Sequence, residues 1–356
     1  MNEALEQAKK GWGKTNPNPL VGAVIVKNDE IIAKGNHEIC GGHHAEACAI
    51  NSTAKDISGA TMYVNLEPCS HQGKTPPCVD EIIKAGIKEV VIGMVDPNPL
   101  VSGRGIKILE QAGIIVRKGV LEKQCIRLNE IFIKYIVKKK PFVIMKSAMT
   151  LDGKIASCEG DSKWITGEKS REFVHRIRSR VSSVMVGKNT VIKDNPYLTV
   201  RLGDENHKDP VRIVIDSKGM IPLNSSVFNQ QSKTGVIIAT TIDIPPEREE
   251  AFINKGAKVI KTRNSGHVNL NELMNKLYEL EIDSVLLEGG GKLNANALNA
   301  GIVDKLMLFF APKIIGGQTA LTAVEGEGIK CLSDCLKVKD IEVTRFDEDI
   351  LIEGYL

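Results

Sequence analysis

Between residues 43 and 78 the chain reads His43-His44-Ala45-Glu46, then Glu67-Pro68-Cys69, then eight further residues and Cys78. For these groups to act together, the fold must bring three points far apart in sequence to one place. Side chains two apart on a helix point to different faces, so His44 and Glu46 share a centre only at a helix's first turn. The spacing therefore puts any shared site at the N-terminal end of that helix.

One imidazole and two thiolates are three ligands that suit Zn²⁺ and leave a fourth position for water. Cys78 follows Pro76 and Pro77 and opens a predicted helix, so helix dipole and metal both favour its thiolate. Zinc lowers the pKa of bound water toward about 7. Glu46 beside it is placed to carry a proton from that water to a leaving amine, a step worth about 10²–10⁴ in rate. The H-x-E…P-C arrangement is the one found in zinc-dependent hydrolytic deaminases. Their usual second arm is Cys-x-x-Cys, and the longer spacing here, over residues 70–77, is a clue to substrate class. A non-enzymatic scaffold with structural zinc is the competing reading, and it needs a fourth protein ligand, such as His43 or His71. Cys40, Cys48, Cys125, Cys158, Cys331 and Cys335 read as small buried hydrophobes.

Strand and helix patterns alternate around this constellation in the α/β order of a layered sandwich. Strands are expected at 20–26, 31–35, 62–66, 90–95 and 114–116, and helices at 44–54, 78–85 and 106–111. An amphipathic segment at 121–137 ends in Lys138-Lys139-Lys140 and Pro141, where a first domain should close. At 356 residues the chain is long for one core, which favours two domains. The boundaries read 1–141 and 142–356, with new strands at 142–145, 183–186, 212–216, 235–239, 284–287 and 305–310. The pentapeptide PNPLV occurs at 17–21 and again at 97–101, a shared loop type rather than a repeat architecture.

A formal charge of +3, with 4% aromatic residues and basic groups spread along the chain, gives no footprint for nucleic acid. That weighs against a deaminase of tRNA bases or free nucleotides with a binding domain attached. No run of 18 apolar residues occurs, and no apolar segment follows Lys9 and Lys10, so neither membrane insertion nor secretion is expected. Eight scattered cysteines form no dense framework. A reducing, cytoplasmic setting accounts for them.

In the second half, the strand at 284–287 feeds Glu288, three glycines at 289–291 and a helical pattern at 293–298. Such a loop at a helix N-terminus makes a site for dinucleotide phosphates, although the full G-x-G-x-x-G spacing is missing and a plain tight turn explains it equally well.

Seven segments together carry a resemblance: NPNPLVG at 16–22, HAE at 44–46, EPCSHQGKTPPC at 67–78, DPNPLVSGRG at 96–105, KSAMTLDGK at 146–154, SKWIT at 162–166 and EGGG at 288–291. In this order they resemble the bifunctional riboflavin-biosynthesis proteins that deaminate and then reduce a diaminopyrimidine ribosylamine phosphate. The resemblance implies an N-terminal cytidine-deaminase-like three-layer domain and a C-terminal dihydrofolate-reductase-like α/β domain. It implies one Zn²⁺ per chain held by His44, Cys69 and Cys78, Glu46 as the catalytic group, and NADPH as second cofactor. The substrate would be a small pyrimidine ribosylamine phosphate, with a homo-oligomer as the working form.

The same resemblance places Asn18, His37 and Lys74 near the deaminase substrate. NADPH would be met by Ala148, Trp164, Thr190, Asp194, Ser217 and the loop Gly290, Gly291, Lys292, Leu293, Asn294, Ala295 and Asn296. Ser162, Arg178, Leu198, Arg201 and Glu288 would meet the reductase substrate. Arg178 and Arg201 suit phosphate, which guanidinium binds through two parallel hydrogen bonds. Arg178 also reads as part of a solvated face on a charged helix at 171–180, Trp164 as a core aromatic, and Lys74 as a solvated surface lysine. Lys146 and Asp194 are candidates for proton transfer in the reduction.

Overall fold

The computed structural model describes residues 1–71, 76–99, 101–203, 207–228, 232, 234–263 and 266–356; Lys74 lies outside the described residues. The chain divides into two compact units, Met1–Lys140 and Pro141–Leu356.

In the first unit the elements run α1 (Asn2–Lys9), β1 (Gly22–Lys27), β2 (Glu30–Asn36), α2 (Ala45–Asn51), β3 (Thr61–Leu66), α3 (Cys78–Lys84), β4 (Glu89–Met94), α4 (Arg104–Gln111), β5 (Ile115–Lys118), α5 (Glu122–Leu128) and α6 (Glu130–Lys138). The sheet order is β2-β1-β3-β4-β5. β1 pairs antiparallel with both neighbours, while β3, β4 and β5 run parallel. Parallel neighbours need a crossover, and α3 and α4 supply the two required. Ile25, Met62, Ile82, Ile92 and Leu109 are fully buried between the layers, each contributing about 1.5–3 kcal/mol of burial. A Cβ on Gly35 of β2 would stand 2.3 Å from the Ala49 nitrogen and 2.4 Å from the Ala45 oxygen. That close approach sets the depth of α2, the helix that carries Glu46.

The amphipathic segment expected at 121–137 is two helices. Asn129 breaks it: its side chain is buried, accepting from the Leu20 N–H at 2.8 Å and donating to the Leu20 oxygen at 3.0 Å. Helix α1 went unrecognised because its buried residues, Ala4, Leu5, Gln7 and Ala8, include one large apolar side chain. Both PNPLV copies fall in loops where described.

The second unit contains β6 (Phe142–Thr150), α7 (Glu168–Arg178), β7 (Ser183–Gly187), α8 (Lys188–Asp194), β8 (Val211–Ile215), β9 (Val236–Thr241), α9 (Pro246–Asn254), β10 (Ala257–Thr262), α10 (Leu270–Glu279), β11 (Ser284–Leu287), α11 (Gly291–Asn299), β12 (Lys305–Ala311), β13 (Lys339–Phe346) and β14 (Asp349–Tyr355). They build one sheet in the order β10-β9-β8-β7-β11-β6-β12-β14-β13. β10 through β12 are parallel, and β14 and β13 are antiparallel to their neighbours. Buried on both faces, β7 and β11 read as continuous apolar runs. Three strands escaped the sequence reading. β10 has its short apolar run interrupted by Lys258 and Lys261, and β13 and β14 form a hairpin whose outer strand is almost wholly exposed.

Cysteine burial also departs from expectation. Cys125 is buried, but Cys48 is only partly so, and Cys40, Cys158, Cys331 and Cys335 are exposed. Cys331 and Cys335 flank a short 3-10 turn on an exposed segment where no layer covers them.

Candidate active sites

His44 is the N-cap of α2, with extended backbone, and Glu46 lies in the first turn of the same helix. Cys78 opens α3, while Cys69 follows β3 across Glu67 and Pro68. Strand end and two helix starts therefore meet. His44 Nδ1 is 3.2 Å from Cys78 Sγ and 3.4 Å from Cys69 Sγ, and the Cys78 N–H donates to Cys69 Sγ at 3.3 Å. All three ligating atoms lie within 4.8 Å of one another, and neither His43 nor His71 joins them.

The hydrogen bond from Cys78, with help from His44, lowers the Cys69 thiol, while that same interaction and burial push Cys78 up. Glu46 is 3% exposed, and burial, reinforced by the negative charge of Cys69, raises its carboxyl to about 7. Burial lowers His37, whose ring stands 5.6 Å from that of His44. Its Nδ1–H donates to the His43 carbonyl at 2.9 Å, which leaves Nε2 to accept from the Asn18 amide at 3.1 Å. Asn18 and His37 are thus joined in one hydrogen-bonded pair.

In the second unit the residues singled out for cofactor and substrate gather at the carboxyl ends of four adjacent strands. Ala148 lies near the end of β6, Thr190 and Asp194 on α8 after β7, Ser217 after β8, and Glu288 and residues 290–296 after β11. Open α/β sheets bind ligands at such an edge, where the strand order reverses. Gly290 is the N-cap of α11. Two buried acceptors here have no hydrogen-bond partner among the described residues, Asn294 Oδ1 and Asp216 Oδ1, the latter adjoining Ser217. Orphaned polar atoms of this kind fit a ligand that completes them.

Arg178 is not on a solvated face. Its Nε and Nη2 donate to the two oxygens of Glu288 at 2.6 and 2.8 Å, and both side chains are 12% exposed. Burial alone would raise Glu288, but the Arg178 charge and hydrogen bonds outweigh it and hold the carboxyl at about 2. The same partner holds Arg178 above its ordinary value against the burial that lowers it. The fork is therefore already occupied by a carboxylate. Arg201 is exposed, Ser162 half-buried, and Leu198 buried. Trp164 is no core aromatic: it is 61% exposed, with the Arg171 guanidinium 4.6 Å from its ring centre. Lys146 is lowered by burial, with Glu288 and Arg178 among its charged neighbours.

His175 was missed in the sequence. Its Nδ1 accepts the Arg201 N–H at 3.1 Å. The one signal for it is its spacing of three from Arg178, which puts both on one face of α7.

Residues 1–94 match the cytidine and deoxycytidylate deaminase zinc-binding region, and residues 141–352 match the RibD C-terminal domain. The riboflavin biosynthesis protein RibD of Actinobacillus pleuropneumoniae is 49% identical over 355 residues, 99% of this chain and 93% of that one. The chain belongs to the RibD family. The RibD of Escherichia coli K12 is 36% identical, with 99% of this chain and 97% of that protein covered. A diaminohydroxyphosphoribosylaminopyrimidine deaminase/5-amino-6-(5-phosphoribosylamino)uracil reductase from Thermotoga maritima has a crystal structure similar to this one at a TM-score of 0.88. It is 43% identical, covering 100% of this chain and 97% of that one. Both units thus have their place in RibD: a cytidine-deaminase-like zinc-binding domain and a reductase domain of the NADPH-using, dihydrofolate-reductase-like type. The donor set of His44, Cys69 and Cys78 fits zinc. Among the described residues no helix is long and apolar enough to cross a membrane.

Proposed function

We propose that residues 1–141 hydrolytically deaminate 2,5-diamino-6-ribosylamino-4(3H)-pyrimidinone 5′-phosphate, and that residues 142–356 then reduce its ribosyl group to ribityl with NADPH. The observation that carries this is the approach of His44 Nδ1 to two sulfurs beside the buried carboxylate of Glu46. His44, Cys69 and Cys78 would hold the zinc, which would supply Lewis-acid activation of water at neutral pH. Glu46 takes the proton from the attacking water and delivers it to the departing amine, so ammonia leaves and a uracil derivative forms. Asn18 turns its amide to the ring edge, held by His37, and Lys74 meets the phosphate as a point charge.

In the second unit NADPH supplies the hydride. Gly290, Gly291, Lys292, Leu293, Asn294, Ala295 and Asn296, at the start of α11, would hold its phosphates, and Ala148, Trp164, Thr190, Asp194 and Ser217 would hold the rest of it. Ser162, Leu198, Arg201 and the Arg178–Glu288 pair hold the substrate, with Arg201 as the free phosphate fork. Lys146 and Asp194 are the groups that handle protons there. A coupled assay of Glu46→Gln tests the two-site reading: deamination is lost while a supplied deaminated intermediate is still reduced. Loss of both activities in a well-folded variant overturns it.

The working form is a homo-oligomer. β13 ends the large sheet, and Ile341 and Val343 on it are 59% and 65% exposed. An open strand edge with apolar side chains favours pairing with a second copy. Sedimentation of an Ile341→Lys, Val343→Lys variant checks this, with dissociation to monomers expected. Eight cysteines without a disulfide suit the reducing cytoplasm.

A further inference from the structure

We infer that Glu67 is a positioning residue of the deaminase centre: its buried carboxylate holds Asp96 and the start of α4 at 103–106 against the arm that carries Cys69, and so sets where that sulfur stands. The inference rests on the proposed ligand role of Cys69.

Glu67 follows β3 directly, its N–H donates to the Met94 oxygen at 3.0 Å, and its side chain is 3% exposed. Oε1 accepts from the N–H groups of Gly105 at 3.0 Å and Ile106 at 3.3 Å; Oε2 accepts from Gly103 at 3.0 Å and Asp96 at 3.2 Å. A carboxylate has about four acceptor sites, so this one is filled by donors from a single segment. Three of the donors belong to the start of α4, whose N–H groups lack partners within the helix. Glu67 thus caps a helix remote from it in sequence, and it does so two residues before a zinc ligand.

Steric fit supports the same clamp. A Cβ on Gly105 would stand 2.2 Å from the Pro68 oxygen, so the backbone leading into Cys69 lies directly on α4. On its other side Cys69 is fixed by α3, since its carbonyl accepts the Val79 N–H at 3.3 Å. Cys69 is therefore held from both ends. Glutamine has nearly the shape of Glu67 but offers an NH₂ where two N–H donors point, turning two of the four bonds into donor–donor contacts in a buried place.

The test uses the full chain. Zinc release to a chromogenic chelator and the absorption spectrum of the cobalt(II)-loaded protein are compared in wild type, Glu67→Gln and Glu67→Asp. Zinc loss from E67Q should be about 10- to 100-fold faster, the range for groups that orient metal ligands. Its cobalt bands should shift, E67D should fall between the two, and kcat and KM for reduction should stay at wild-type values. A folded E67Q with the wild-type release rate and cobalt spectrum overturns the inference. Should E67Q fail to fold, E67D decides: faster release with a shifted spectrum supports the clamp, and wild-type behaviour overturns it. If the wild-type chain takes up neither zinc nor cobalt, the metal reading itself falls, an outcome distinct from a failure of Glu67 alone.

Discussion

Arg178 on α7 and Glu288 after β11, 110 residues apart, form a two-armed ion pair with contacts of 2.6 and 2.8 Å in a largely buried setting. Removing one partner leaves the other charge uncompensated, at a cost of about 3–5 kcal/mol. Arg178→Ala should lose that much in the unfolding transition of the C-terminal unit, read by urea denaturation. The double change Arg178→Met, Glu288→Leu should lose clearly less, because it leaves neither partner of the pair uncompensated; equal losses would sink the argument.

Acid should weaken the same unit in two stages. Burial, then Arg178 and Arg201, with a smaller push from Lys146 and a counter-pull from Glu288, lower His175 from 6.5 to about 4. The unfolded chain binds the extra proton first, so this contribution is complete above pH 6.5 and is lost as pH falls toward about 4. Glu288, lowered from 4.5 to about 2, contributes fully above pH 4.5 and loses its share as pH falls further. Urea midpoints across pH should fall in both windows, and His175→Gln should flatten the upper one.

Removing the metal should separate the activities. Dialysis against a strong chelator is expected to abolish ammonia release, leave reduction of supplied intermediate intact, and be reversed by added zinc. Cys78→Ala should purify without stoichiometric zinc and show the same split. Elemental analysis beside both assays checks this.

Gly35→Ala should act at a distance from the chemistry. The new methyl meets α2 backbone at 2.3 and 2.4 Å, and overpacking of this kind costs about 1–3 kcal/mol. Because α2 carries His44 and Glu46, deamination kcat should fall along with thermal stability, while reduction is spared.

What the residue order determined by itself was whatever depends on chemistry and local period. The cluster of His44, Cys69 and Cys78 and the nearby Glu46 announced themselves as candidates because imidazole, carboxylate and thiols at that spacing have few other uses. The buried strands announced themselves because two-sided burial demands continuous apolar runs, as in β7 and β11. Tertiary structure alone decided what depends on partners distant in sequence. Nothing near Glu67 foretold four N–H donors from 96–106, nothing near Asn129 foretold its hold on Leu20, and only the sheet order brought Arg178 to Glu288. A hydrogen bond or ion pair across 29 to 110 residues leaves no local period to read, and exposure of a cysteine depends on whether another layer happens to cover it.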